Sequence, residues 1–302
     1  MTPLHLLPEL ESYQDEPKQL ATGSPGKVAE LGLWFEQRYG KTILARNYRR
    51  APLIVQRAIY FDEQLPLMPC VFIISNAGGI LQGDRNKIDV TLEPNSMAHL
   101  TTQAATKIQG MDANYASQLQ NFTVKEGAYL EYVPHPLIPH RHSRFVTQTT
   151  ITVDPTATVF ASEIILGGRK YHGDLFQFYL LSSTMKAQRL DGQPLFTEKL
   201  VIQPFQQQLR QTGIMGQFDV FGTAVLITDQ KHFDPIFELS PFGYAPEEGW
   251  AAGTSRLPNN AGLLFKVLAT ESYVARTKIR EFWTLVRRQI HGVDILKQYS
   301  WH

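Results

Sequence analysis

Chemistry in this chain could first reside in the stretch SNAGGILQGDR, Ser75 to Arg85, where Gly78, Gly79 and Gly83 lead into Asp84 and Arg85. A phosphate-cradling loop needs glycines spaced for backbone amides and then a Lys with Ser or Thr. Here Gly83 is followed by Asp84, which would repel a phosphate. The glycines also miss the G-x-G-x-x-G dinucleotide pattern, and no helical periodicity comes after them. Instead the chain continues as RNKIDVTLE, in which Ile88, Val90 and Leu92 alternate with polar residues, so the bend opens a strand. The structural reading is a glycine bend at a strand entrance, where positive φ is needed.

Other candidate groups are scattered. No G-x-S-x-G elbow is present, and the single cysteine, Cys70, lies in the apolar run PCVFIIS and reads as inert core. His135, His140 and His142 fall in PHPLIPHRH. Two imidazoles two residues apart on a strand point to one side and could, with a third, hold Zn²⁺, Ni²⁺ or Cu²⁺. Three prolines and the cations Arg141 and Arg144 favour a solvated loop instead. Among carboxylates, Asp84 and Asp89 flank the bend, and Glu163 closes an apolar run before Gly167, Gly168 and Arg169. A carboxylate there is either paired, with Arg169 at hand, or lines a polar interior.

The elements that must position these groups are mostly strands. The chain has 302 residues, 43% hydrophobic, enough for a large core. Its 29 basic and 28 acidic side chains nearly balance, with no basic stripe for nucleic acid or an anionic membrane surface. One cysteine excludes an intrachain disulfide, the N-terminus lacks a basic signal-peptide n-region, and no apolar run is long enough to span a bilayer. These features predict an intracellular, cytoplasmic protein. Residues 1–28, rich in Pro and Gly, are expected to be a flexible extension, with one β domain over 29–302. Three segments share an acidic residue, Pro or Gly, a small-residue turn and a strand: EPNSMAHLTT, KEGAYLEYV and DPTATVFASE. Their acids, Glu93, Glu126 and Asp154, recur at intervals of about 30 residues, within the range of repeat architectures. The fold class expected is therefore mainly β, a β-helix-like layered solenoid with a small C-terminal helical part. TESYVARTKIREFWTLVRRQIHG predicts an amphipathic helix over about 271–291, with Thr270 as N-cap, Gly292 as stop, and Arg287 and Arg288 suiting the helix dipole.

In order along the chain, GKTILARNYRRAPLIVQRAIY, SNAGGILQGDR, HLTTQAATKI, EYVPHPLIP, SEIILGGRKYHGD, FGTAVLIT and GTSRLPNNAGLLFKVLA form a series that resembles the urease accessory protein family UreD, also called UreH. The resemblance runs from about Leu31 to Gly292. It implies a non-enzymatic β-helical protein that binds apo-urease. With the accessory proteins UreF and UreG, the latter a GTPase, such a protein delivers Ni²⁺ to the urease active site, along an internal water-filled tunnel. No tightly bound cofactor is implied, only Ni²⁺ in transit. Weak, exchangeable ligation by isolated carboxylates suits a conduit, whereas clustered imidazoles or thiolates would trap the ion. Asp84 and Glu163 are the expected tunnel-lining and transient metal-contacting residues. Gly78, Gly79, Gly83, Arg85, Thr101, Thr102, Thr106, Lys107 and Arg169 lie on the matched segments. The family pattern does not share His140 and His142, and with the poor metal-site spacing this implies that His135, His140 and His142 are dispensable. Two other readings stay open: a polysaccharide-active β-helix enzyme, and a scaffold joining UreF to urease without metal passage.

Overall fold

The alternation in Arg85–Leu92 sets the plan of the body. Asn86, Ile88, Val90 and Leu92 are buried and Lys87 is exposed, so one face of this strand looks inward. The computed structural model describes residues 4–15 and 27–296. The strands of the first half are β1 (Val28–Arg38), β2 (Lys41–Arg50), β3 (Leu53–Val55), β4 (Cys70–Ser75), β5 (Arg85–Leu92), β6 (Met97–Thr102), β7 (Thr106–Ile108), β8 (Ala116–Val124) and β9 (Tyr129–Tyr132). Those of the second half are β10 (Leu137–Pro139), β11 (Arg144–Val153), β12 (Thr158–Leu166), β13 (Leu180–Gln188), β14 (Pro194–Ile202), β15 (Val220–Ile227), β16 (Gly243–Ala245), β17 (Trp250–Arg256) and β18 (Gly262–Ala269). Two helices complete the fold, α1 (Gln230–Leu239) and α2 (Ser272–His291).

The strands form two facing sheets. The first runs β14-β13-β11-β8-β5-β1-β2 and the second β16-β17-β18-β15-β12-β9-β6-β4-β3, with β7 and β10 attached through β12. Their centres are parallel: β5, β8, β11 and β13 in the first sheet, β4, β6, β9 and β12 in the second. The chain coils from one sheet to the other, through β5–β6–β7, then β8–β9–β10, then β11–β12. Met97 lies beside Tyr129 and Tyr129 beside Thr158, a repeat of about 30 residues per turn. This is the β-solenoid that the repeat predicted.

The repeated acids are one position out of step in the middle turn. Asp154 N donates to Val124 O, and Lys125 N to Leu92 O, so Lys125, not Glu126, stands in the column with Glu93. Lys125 Nζ lies 2.7 Å from Glu93 Oε2. Three stacked carboxylates would repel one another, whereas a lysine between two acids relieves the column.

An amphipathic helix covers the outer face of the second sheet. Helix α2 buries Val274, Ala275, Ile279, Phe282, Trp283 and Val286. Trp283 stacks on Phe160 of β12 at 5.9 Å, and Phe282 on Phe265 of β18 at 5.0 Å. Each large apolar side chain so buried contributes about 1.5–3 kcal/mol. Thr270 is not its N-cap. Thr270 N donates to Gly249 O at 2.9 Å, which ties it to the end of a hairpin, and Glu271 occupies the cap position without a side-chain cap bond. Gly292 ends the helix in the left-handed conformation at φ 69°, with its N–H on Arg288 O. Helix α1 is an addition to the sequence reading. Pro235 inside it argues against helix, yet Phe233 and Ile236 bury against the same core as α2.

The segment expected to be a flexible extension contributes to the body. Leu4–Leu6 and Pro8–Tyr13 form 3₁₀ turns, and Leu10 is wholly buried with Tyr115, Val146 and Leu180. Glu9 accepts from Ser182 Oγ at 2.7 Å and from Lys199 Nζ at 3.0 Å. Residues 16–26 of that segment lie outside the described residues.

Candidate functional site

The interior between the sheets is apolar at one end and again at the other. Leu31, Leu33, Val90, Phe122 and Val153 belong to one core, and Ile80, Ile108, Phe145 and Ile165 to another. Between them the inward positions of the first sheet turn polar. Asn86 pairs in register with Gln118, Gln118 with Thr147, and Thr147 with Ser183. Because strands lie about 4.8 Å apart, this row of neutral polar side chains runs about 14 Å along the solenoid axis. A second row, Ile88, Gln120, Thr149 and Met185, lies beside it. Except for Ser183, the residues of both rows line a cavity of about 250 Å³, closed on the other side by Tyr132, Ser162 and Glu163 of the second sheet.

Hydrogen bonds cross this interior. Tyr132 Oη donates to Gln120 Oε1 at 2.5 Å, and Gln120 Nε2 to Thr149 Oγ1 at 2.9 Å. Ser183 Oγ donates to Glu163 Oε2 at 2.7 Å, linking β13 to β12. Asn86 Oδ1 at the other end of the row is buried and has no hydrogen-bond partner among the described residues. A buried acceptor left without a donor is costly unless water or an ion satisfies it.

The cavity opens where two of the sequence motifs meet. Gly78 and Gly79 form one lip, and Thr102, Thr106 and Lys107 the other. Ile80 N donates to Lys107 O at 2.8 Å and Gln109 N to Ile80 O at 2.9 Å, which stitches the lips together below the mouth. Gly79 has φ 141°, and a Cβ there would stand 2.7 Å from Lys107 O. Glycine is therefore required at this close approach. Thr102 Oγ1 accepts from His135 N at 2.9 Å and donates to Ala104 O at 3.1 Å, which shapes the second lip.

The two acids singled out in the sequence have different surroundings. Glu163 lines the cavity, half-buried, and no cation pairs with it among the described residues. Burial pushes its carboxyl up to about 7, against the opposing effect of the Ser183 hydrogen bond. Arg169, its expected partner, is turned to Asp174 instead, with Nε on Asp174 Oδ2 at 2.6 Å. Asp84 does not line the cavity. Its Oδ1 accepts from Lys27 N at 3.0 Å and its Oδ2 from Leu81 N at 2.8 Å, so it caps the bend from within. Arg85 donates to Tyr115 O at 2.6 Å and Asn114 Oδ1 at 2.8 Å, and stacks over the Tyr115 ring. Gly83 takes φ 75° and donates its N–H to Tyr115 O, completing the turn that this pair holds.

The family model described as UreD urease accessory protein matches residues 27–302. The chain belongs to the UreD family. It is 53% identical over 297 residues to urease accessory protein UreD 2 of Brucella abortus (strain 2308), covering 97% of this chain and 98% of that one. It is 48% identical over 296 residues to urease accessory protein UreD of Yersinia pseudotuberculosis serotype O:3 (strain YPIII), covering 97% and 92%. With 97% of the chain aligned, the likeness to these UreD proteins reaches into the docked segment before Lys27.

The three histidines of this UreD-family chain are not brought together. His135 lines the cavity, and burial with nearby Arg276 pushes its imidazole pKa down. His140 comes just after β10, at a turn rather than within a strand, and burial and Arg169 push it down. His142 is exposed and stacks on Tyr179 at 5.1 Å. Among the described residues no group of three His, Cys, Asp or Glu side chains is placed to hold a metal ion. Cys70 is buried, and burial raises its thiol pKa, as an inert core cysteine should.

Sequence reasoning missed a buried ionic cluster under α2. Arg287 does not sit at the helix end for the sake of the dipole. It is wholly buried, with Nε and Nη2 on the two oxygens of Glu131 at 2.7 and 2.8 Å and Nη1 on Asp62 at 2.5 Å. Tyr129 Oη, Trp283 Nε1 and His99 Nδ1 complete the shell of Glu131 at 2.6, 2.8 and 2.8 Å. Burial alone would raise Glu131, but Arg287 and the other donors hold it well below the usual carboxylate range. The signal was present as a lone acid in the apolar strand YLEYV, with parity opposite to the lumen-facing Tyr132.

Proposed function

We propose that this chain is a non-catalytic urease maturation protein of the cytoplasm. It binds apo-urease, assembles with UreF-type and UreG-type accessory proteins, and carries Ni²⁺ toward the urease active site through the polar lumen between its sheets. The observation that carries the conduit reading is the polar row Asn86, Gln118 and Thr147, lining a cavity that opens between the Gly78–Gly79 and Thr102–Lys107 lips and holds Glu163, to which Ser183 at the end of the row donates. Family membership supports the setting in urease maturation. Physically, such a lumen suits a travelling divalent ion. Amide and hydroxyl oxygens with one carboxylate can replace part of a hydration shell without the strong field of clustered imidazoles or thiolates. Among the described residues no helix is long and apolar enough to cross a membrane.

The test separates passage from scaffolding. Glu163→Gln keeps the shape and removes the charge, and Asp84→Asn perturbs only the cap of the bend. Each is co-expressed with urease and the other accessory proteins, and complex assembly and urease nickel content are measured. The conduit reading expects intact assembly and less nickel for Glu163→Gln, and no specific nickel defect for Asp84→Asn once protein levels are matched. Full nickel loading by Glu163→Gln in an intact complex refutes passage along Glu163 and leaves a scaffold that joins partners.

A further inference from the structure

The first sheet ends on an open edge. Strand β2 pairs with β1 on one side only. Its start is tied down, with Thr42 N donating to Leu67 O at 3.2 Å and Tyr60 Oη to Thr42 O at 2.7 Å. Across residues 43–50 no backbone bond leaves the other side of the strand among the described residues. At about 3.3 Å per residue this is a free template about 26 Å long. Its charge is one-sided. Residues 41–61 carry Lys41, Arg46, Arg49, Arg50 and Arg57 and no Asp or Glu, in a chain with 29 basic and 28 acidic side chains. Register with Trp34 and Glu30 of β1 puts Arg46 and Arg50 on the outer face with Tyr48 between them, all three exposed. These cations are only lightly engaged. Arg46 lies over the Trp34 ring at 4.1 Å, Arg49 Nη1 reaches Val55 O at 3.5 Å, and Arg50 has Glu30 at 3.8 Å. Glu36, further along β1, is held by Arg38 at 3.1 Å. An edge that only avoids pairing is blunted mostly by lysine, whereas arginine and tyrosine are enriched where proteins meet.

We propose that β2 is a docking edge for an extended acidic segment of a partner protein, which adds a strand beside it and sets carboxylates on Arg46 and Arg50. The partner is taken from the maturation assembly proposed above, so the inference rests on that reading, though not on passage of an ion. Backbone pairing along the edge supplies affinity with little regard to sequence. The arginines at alternate positions select the acidic partner and its register, since each guanidinium can grip a carboxylate through two parallel N–H donors. A second copy of this chain fits the edge poorly. Its own β2 would bring arginine against arginine, and the bulge at Ala45, which stands unpaired between Leu44 and Arg46, twists the strand away from flat edge-to-edge pairing.

The experiment is hydrogen–deuterium exchange, read by mass spectrometry, on the full chain alone and assembled with apo-urease and the accessory proteins. Assembly of the wild-type chain, read by size-exclusion chromatography, tests the maturation reading and is established first. In the assembled complex the edge amides of residues 43–50 should exchange about tenfold more slowly, because N–H groups that faced water become hydrogen-bonded. The double change Arg46→Glu, Arg50→Glu should abolish this slowing. Arg46→Lys, Arg50→Lys keeps the charge without the two-pronged grip and should retain part of it. Unchanged exchange in β5 and β8 of both variants shows that the sheet is intact. Edge amides that exchange as fast in the assembled wild type as in the free chain overturn the proposal while sparing the assembly. Slowing that survives the charge reversal overturns recognition of an acidic segment.

Discussion

Replacing Glu163 by Gln should make the protein more stable, and increasingly so as the pH rises. Among the described residues the carboxyl has one hydrogen-bond donor, Ser183, and no paired cation, and burial raises it from 4.5 to about 7. The folded-state value is raised, so the folded protein holds a proton that the unfolded chain has already lost. Stability is therefore fully present below about pH 4.5, is lost as pH rises toward 7, and stays low above it. A shift of this size corresponds to about 3 kcal/mol at 1.36 kcal/mol per pH unit. Gln keeps the volume and the acceptor for Ser183 and cannot ionise, so the variant should escape this loss. Urea unfolding of both proteins between pH 5 and 8 measures it, as the difference in stability at each pH. The variant's advantage should grow with pH by up to about 3 kcal/mol, a few degrees in melting temperature for a chain of this size. Parallel pH profiles would refute the desolvated carboxyl. A wild type that gains on the variant with rising pH would mean that Glu163 is ion-paired. A stabilised variant that delivers less nickel would be the trade-off expected where function retains a strained group.

Arg287→Met should destabilise by about 3–5 kcal/mol, because Glu131 and Asp62 are left buried without their cation. Denaturant unfolding measures this, and Arg287→Lys should recover only part of it, since a lysine cannot reproduce the two-pronged contact with Glu131. Gly79→Ala should cost about 1–3 kcal/mol from its positive φ and from the clash with Lys107 O. Thermal unfolding of the variant checks this, and a loss no larger than that of Gly78→Ala, where a Cβ meets nothing within 4 Å, would refute the requirement at the lip. The double change His140→Ala, His142→Ala should leave urease activation in a co-expression assay near wild type and stability within about 0.5 kcal/mol. Loss of activation with the complex still assembled would show that these two residues take part.

Much of the architecture could be read from one dimension because it rests on periods. Alternation in Arg85–Leu92 and Arg144–Val153 marks strands directly, since a strand with one face inward must repeat every second residue. The turn length of the coil appears as spaced acids, though Lys125 in the middle turn shows that what recurs is a corner, whose charge is set by its neighbours above and below. Helix α2 could be read to within a residue because its apolar face repeats at helical spacing. Helix α1 could not, because the local signal of Pro235 outweighs two buried side chains whose value comes only from docking on the second sheet.

The sequence by itself determined the family, the strand-rich coil, the glycines of the bend and the identity of every group in the lumen. Tertiary structure decided which of them share it. Asp84 and Glu163 look alike in sequence, each an acid beside apolar strand residues. One folds back onto the amides of Lys27 and Leu81, while the other projects between the sheets toward Ser183, twenty residues along the chain. Asn86, Gln118, Thr147 and Ser183 are ordinary residues where they stand in the chain, and become a polar track only through parallel register across four strands. Arg287 satisfies the helix-dipole pattern as well as any arginine near a C-terminus does. Only the packing of α2 over β9 turns it inward to Glu131, because a buried charge is fixed by partners distant in sequence, and no local pattern specifies where those partners will be.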